Sequence, residues 1–115
     1  MTQVLGRSDL GQKSLTDYKL IRFADQYLEV TPEGKAQIFA SVQSLPLTNR
    51  LEIKIFLQKF DGDWTTVKAW EEKRWSSFCS FSAISDVNVL DEYRIEVYYR
   101  AYQGSYVEEL FSLGN

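Results

Sequence analysis

The chain has 115 residues and a net charge of −3, with 44% hydrophobic and 25% charged residues. That length fits one domain around one hydrophobic core, and the composition is that of an ordinary globular protein. The negative charge and the lack of any Lys or Arg run argue against a nucleic-acid partner. No apolar stretch approaches the roughly 20 residues of a membrane span. The sequence contains no histidine, which removes every catalytic pair built on an imidazole base, and we expect no enzyme activity, cofactor or metal.

The start of the chain is polar and shows no hydrophobic period. We expect a flexible N-terminal arm at residues 1–15 and a β-sandwich domain at residues 16–115. The segment 17–30 permits two interpretations: a short helix, or a strand at 18–23 that continues at 27–30 after a kink. The β character of the remaining chain favours the strands.

The middle of the chain alternates between turn signals and strand patterns. Thr31-Pro-Glu-Gly34 is typical of a turn, and the strand after it should turn Ile38 and Val42 toward the core. In residues 51–58 every second residue is Leu or Ile, which indicates a half-buried strand. The residues expected in the core there are Leu51, Ile53, Ile55 and Leu57.

A hairpin follows at Asp61-Gly62-Asp63, because Asp-Gly is a strong signal for a tight turn. The returning strand is predicted over residues 64–70, and the charged segment 71–77 is predicted to be a connection. A Ser-rich strand is expected at 78–84.

The last quarter of the chain carries the clearest period of two, over residues 93–102, and should bury Ile95 and Val97. Gln103-Gly104-Ser105 then turns it into a C-terminal hairpin. About seven strands follow from these patterns, and they predict an all-β, immunoglobulin-like or fibronectin-like antiparallel sandwich. Tyr93, near the start of the penultimate strand, is predicted to form a tyrosine corner.

Several aromatic residues fall on the parity opposite to the expected core, with basic residues among them. An aromatic strip of this kind can stack on sugar rings or anchor a protein partner. Two other interpretations stay open: cross-strand pairs that only stabilise the sheet, or rings covered by loops or the arm. The candidate binding face consists of Phe56, Trp70, Tyr98, Tyr102, Arg100 and Lys54.

The segment Phe56-Leu-Gln-Lys-Phe-Asp-Gly-Asp-Trp-Thr-Thr-Val-Lys-Ala-Trp70, with Tyr93-Arg-Ile and Glu108-Glu109 later, carries a family resemblance. It resembles short secreted proteins of Gram-positive bacteria, a family without a characterised function. The likeness covers roughly residues 16–113 and implies a β-sandwich and an extracellular or cell-surface location. The chain departs from the family in its single Cys79 and in lacking a signal peptide, which we expect to have been removed.

These observations predict a non-catalytic binding module that recognises a protein or a glycan. The alternative is a subunit of an extracellular assembly, paired through the N-terminal arm or an edge strand, so homo-oligomerisation stays open. A third hypothesis is an enzyme accessory or a carboxylate-dependent glycosidase, and an enzyme would need two carboxylates facing each other across a pocket.

Overall fold

Seven strands joined by short turns account for most of the computed structural model, which describes residues 18–114. The flexible arm predicted at residues 1–15 lies outside the described residues. The strands are β1 (Ile21–Val30), β2 (Lys35–Ser44), β3 (Arg50–Phe60), β4 (Trp64–Arg74), β5 (Phe78–Asp86), β6 (Glu92–Gln103) and β7 (Tyr106–Gly114).

The strands form two antiparallel sheets, one of three strands in the order β1-β2-β5 and one of four in the order β4-β3-β6-β7. The predicted fold class is confirmed: the chain is an all-β, immunoglobulin-like sandwich. Its fourth strand pairs with β3, whereas in a constant-type immunoglobulin domain the fourth strand joins the other sheet.

The core lies between the two sheets and includes the residues that the period of two predicts. The five central side chains are fully buried, at 0% exposure each: Ile53, Ile55, Leu57, Ile95 and Val97. Ile38 and Val42 of β2 face them from the smaller sheet. The predicted register of β3 and β6 is therefore confirmed.

The segment 17–30, for which a helix and a kinked strand were both considered, contains one continuous strand, β1. Its irregularity is a register shift between Ile21 and Phe23, not a kink at residues 24–26. The N-terminal part of β1 thus bends against β2, as an extra residue in one strand of an antiparallel pair requires.

The strand β4 is longer than predicted. The charged segment 71–77 was expected to be a connection, but residues 71–74 continue β4 and pair with residues 51–54 of β3. An edge strand tolerates such a charged sequence because one side of it meets water.

The tyrosine corner is present at the start of β6. The Tyr93 hydroxyl accepts a hydrogen bond from the backbone N–H of Asn88, five residues upstream, at 3.1 Å. The Tyr93 ring packs against the core. This bond ties the β5–β6 loop to the first residues of β6.

Polar side chains join the two sheets along the side where β1 and β7 lie. Gln26 of β1 donates from Nε2 to the Ser112 hydroxyl at 2.7 Å, and the buried Tyr99 hydroxyl donates to Gln26 Oε1 at 2.7 Å. Glu108 of β7 accepts hydrogen bonds from the backbone just before β1. Buried polar groups are costly unless paired, so these bonds fix how the sheets meet on this side.

Candidate functional site

The outer face of the four-stranded sheet carries a row of three aromatic rings, one from each of β3, β6 and β7. The Phe56 and Tyr98 rings have centroids 5.8 Å apart and stand nearly perpendicular, at 86°. The Tyr98 and Phe111 rings are 4.9 Å apart at 47°. All three rings are half-buried. We call Phe56, Tyr98 and Phe111 the ring row.

Charged side chains surround the ring row. The guanidinium Nε of Arg100 lies 2.7 Å from Glu109 Oε2, and this contact with Glu109 raises the pKa of Arg100 above its ordinary value. Partial burial, together with the negative charges of Glu96 and Glu109, raises the pKa of the Tyr98 hydroxyl, which therefore stays protonated at neutral pH. An open depression of about 380 Å³ lies among these groups. Its lining residues are Lys54, Phe56, Thr66, Glu96, Tyr98, Arg100 and Glu109.

A second aromatic cluster lies at one end of the same face. The Arg50 guanidinium lies over the Tyr102 ring at 4.2 Å and over the Trp75 ring at 5.1 Å. Glu52 contacts both Tyr102 and Arg50. Its Oε1 accepts a hydrogen bond from the Tyr102 hydroxyl at 3.0 Å, and its Oε2 lies 3.2 Å from Arg50 Nη2. Trp75 remains 77% exposed. The Trp75 ring is thus exposed to solvent while its cation–π contact with Arg50 holds it in place.

A third contact lies at the opposite end, near the β3–β4 turn. The Arg94 guanidinium lies 4.4 Å from the centroid of the Trp64 ring, and its Nε donates to Gln58 Oε1 at 2.7 Å. The outer face therefore carries an arginine against a tryptophan at each end, with the ring row between them.

Of the six residues predicted for the binding face, five lie on this outer face. Phe56, Tyr98, Lys54 and Arg100 line the central depression, and Tyr102 belongs to the cluster at one end. The sixth, Trp70, borders a neighbouring depression with Lys54 and Phe56, but its ring packs on the other side of the sheet. Trp70 pairs with the fully buried Ile55 and faces the other sheet, where its ring is 6.4 Å from Phe81.

The misplacement of Trp70 has a definite cause in the β3–β4 pairing. Near the turn Gln58 pairs with Thr66, but one step further Leu57 pairs with Lys68, so Val67 is an extra residue. One extra residue in a strand moves all later side chains to the opposite face. Without this bulge Trp70 would lie beside Lys54 on the outer face, as predicted.

Phe111 and Trp75 are among the residues of the outer face that were not predicted. Phe111 could have been found, because a two-residue turn at Gly104-Ser105 places Tyr106 opposite Gln103 and hence Phe111 opposite Tyr98. Trp75 gave no such signal, because it follows residues 71–74, whose charges are more typical of a connection than of a strand.

The single thiol of the sequence is buried. Cys79 is 1% exposed, and desolvation, reinforced by the charge of Glu72, raises its pKa to about 11. The thiol stays protonated at neutral pH and is a weak nucleophile, because the thiolate is the reactive form. Cys79 therefore acts as a small apolar residue opposite Val42.

Residues 18–114 contain no group of three or more His, Cys, Asp or Glu side chains placed to hold a metal ion. In the same part of the chain no helix is long and apolar enough to cross a bilayer.

Comparison with protein-family models finds no match, and comparison with curated proteins finds none either. Among solved structures, the chain is similar to CsgH of R. palustris, determined in solution. The two share 9% sequence identity over 78% of this chain and 91% of that chain, with a TM-score of 0.41. A likeness of that size carries no information on activity or partners.

Proposed function

We propose that the chain is a non-catalytic binding module that recognises a protein partner through the outer face of the four-stranded sheet. The ring row is the observation that carries the proposal: the half-buried rings of Phe56 and Phe111 each pack against Tyr98, beside a depression lined with charges of both signs. Aromatic residues and arginine supply most of the strong contacts in protein interfaces.

The orientation of the rings favours a protein over a glycan. A sugar stacks on the open flat face of an aromatic ring. In the ring row, Phe56 stands at 86° to Tyr98 and each ring is half-buried, so these two rings do not form one flat platform for a sugar. Aromatic rings beside an Arg100–Glu109 pair and the Lys54 ammonium suit a partner that combines apolar and charged side chains.

The proposal includes an extracellular or cell-surface location, as the resemblance to short secreted proteins of Gram-positive bacteria implies. The buried, protonated thiol of Cys79 is compatible with it, because an inert thiol needs no reducing compartment.

The test begins with affinity capture from the extracellular fraction of the source organism, followed by purification of the captured protein. Its affinity is then measured for wild type, for Tyr98→Ala and for Tyr27→Ala. Tyr27 is the matched control, because it also packs against an aromatic ring on an outer face, Phe39 at 5.9 Å, but on the other sheet.

We expect Tyr98→Ala to weaken binding by about tenfold or more, as removal of a central aromatic contact does, and Tyr27→Ala to leave it unchanged. Circular dichroism confirms that both variants are folded. Equal affinities for all three proteins would contradict the proposal. Binding of wild type to a glycan array, lost in Tyr98→Ala, would replace the protein partner by a carbohydrate.

A further inference from the structure

The strand β5 has a free edge with a sequence unlike that of the other edge strands. Within residues 18–114, β5 pairs with β2 and with no other strand. Its first eight residues, 78–85, contain no charged residue, no proline and no glycine. An exposed edge offers unpaired N–H and C=O groups to any extended chain that reaches it.

The other three edges carry features that discourage such pairing. The strand β4 carries five charged residues and the Val67 bulge, and β7 carries Glu108 and Glu109. The strand β1 carries three charged residues and a register shift near its start. Charges and bulges are the usual means by which sheets protect their edges. Only β5, of the edges described, lacks both over its first eight residues.

We propose that β5 pairs with β5 of a second copy of this chain, antiparallel and about a two-fold axis at Phe81. In this register Phe78 lies opposite Ile84 of the other copy, and Ser80 lies opposite Ser82. The two three-stranded sheets then join into one of six strands. The inference is independent of the binding face, which lies on the other sheet.

The outer face of β5 makes this register self-complementary. Phe78 and Ile84 are 52% and 66% exposed, and the proposed pairing places each directly against the other. Opposed side chains in an antiparallel pair are about 4.5–5.5 Å apart at Cβ, so both apolar side chains lose water contact. The two hydroxyl residues between them, Ser80 and Ser82, meet each other.

Neighbouring registers are less favourable. A shift of two residues in one direction places the Asp86 carboxylate opposite the Phe78 ring. A shift of two in the other direction places Phe78 opposite Ser82 and leaves Ile84 opposite Ser76. Asp86 is the single charged residue of β5, and the proposed register keeps it away from Asp86 of the second copy.

The first experiment measures the mass of the full chain by sedimentation equilibrium over a range of concentrations. Wild type is expected to dimerise, and Ile84→Lys is expected to raise the dissociation constant by about tenfold or more, because a lysine on the edge opposes Phe78. Val107→Lys is the matched control: Val107 is an aliphatic residue of similar exposure, 47%, on the edge strand β7. It should dimerise as wild type does.

A second experiment tests the register by charge complementation. Ile84→Glu and Phe78→Lys should each be monomeric, and an equimolar mixture of the two should form a heterodimer, because the introduced carboxylate and ammonium then face each other. Failure of the mixture to associate overturns the register. A wild-type dimer that survives Ile84→Lys overturns the β5 interface itself.

Amide exchange of wild type supplies a third measurement. The amides of β5 that point away from β2 should exchange fast in dilute solution and slowly in concentrated solution. A protein that remains monomeric at its highest soluble concentration overturns the proposal. So does protection of β5 in the monomer, since another segment of the same chain would then cover the edge.

Tyr98→Ala should dimerise normally, which separates this inference from the proposed binding face.

Discussion

The Glu108 carboxylate of β7 accepts the backbone N–H of Leu20 at 2.8 Å, across the gap between the two sheets. The same oxygen accepts the N–H of Ile21 at 3.0 Å, and the other accepts the Lys19 N–H and the Tyr106 hydroxyl. Burial alone raises the pKa of Glu108, but these donors outweigh it and hold the pKa below its ordinary value. One side chain therefore fixes the chain entry into β1.

The substitution Glu108→Gln should lower the free energy of unfolding by about 1.5–3 kcal/mol at neutral pH, since hydrogen bonds to a charged acceptor are lost. The folded pKa is lowered, so the contribution of the carboxylate is complete above the unfolded pKa and is lost as the pH falls through the folded pKa. Urea unfolding should therefore show a smaller difference between the two proteins in acid.

The adjacent Glu109→Gln is the control for this prediction. It removes the exposed pair with Arg100, which is worth about 1 kcal/mol or less. Equal losses of stability in the two variants would refute the role given to Glu108.

The ionised Asp25 carboxylate should lower the stability of the protein, whereas the ionised Glu108 carboxylate raises it. Its side chain is 5% exposed and its Oδ1 has no hydrogen-bond partner within the described part of the chain. Burial raises the pKa of Asp25, so ionisation of this carboxyl costs stability in the folded protein. The cost is absent below the unfolded pKa and grows as the pH rises through the folded pKa. We expect Asp25→Asn to stabilise the protein by roughly 1 kcal/mol at neutral pH and by nothing in acid, measured by urea unfolding. A loss of stability at neutral pH would show that the charged form is needed.

The tyrosine corner gives a third prediction. Tyr93→Phe should cost about 0.5–1.5 kcal/mol, because the Asn88 N–H loses its acceptor while the ring contacts remain. Thermal unfolding measures the effect. Tyr27→Phe, which removes a hydroxyl from the outer face of the smaller sheet, controls for the loss of a phenol as such. No change in Tyr93→Phe would mean that water satisfies Asn88 equally well.

The position of Trp70 can be tested against Trp75, the tryptophan that directly follows β4. Trp70→Ala should cost about 2 kcal/mol or more, because its ring packs on Phe81 and the core. Trp75→Ala should cost about 1 kcal/mol or less, because Trp75 is 77% exposed and contributes mainly its contact with Arg50. Urea unfolding compares the two. The reverse order would place Trp70 outside the core after all.

The sequence predicts the two faces of a strand well where neighbouring residues settle the matter locally. Ile55 and Val97 lie in the core because alternation along one strand decides which side chains share a face. The face of a strand relative to its neighbour is a different question, since it depends on pairing. Trp70 was assigned to the wrong face because the bulge at Val67 exists only in the pairing of β3 with β4, and no local pattern marks it.

The same distinction, between alternation along one strand and pairing between strands, explains which residues of the candidate site were predicted. Phe56 and Tyr98 share a face of directly paired strands and were correctly grouped, whereas Phe111 needed the length of the β6–β7 turn as well. The contact of Arg50 with Tyr102 and Trp75 joins three segments that are distant in sequence. Contacts of that kind depend on how the strands are arranged in the fold, and the local patterns of a single sequence do not reveal that arrangement.

The turn at Gly34 sets limits on how the loops of this sandwich can be altered. Gly34 has a φ of +87°, its carbonyl accepts the Val87 N–H at 2.9 Å, and a Cβ there would lie 2.9 Å from the Val87 carbonyl oxygen. The β1–β2 turn and the β5–β6 loop are thus a matched pair, and neither can be lengthened or grafted alone. The turn at Gly62, where an added Cβ would meet no atom within 4 Å, has no such dependence and is the natural place to insert a peptide tag or a second domain.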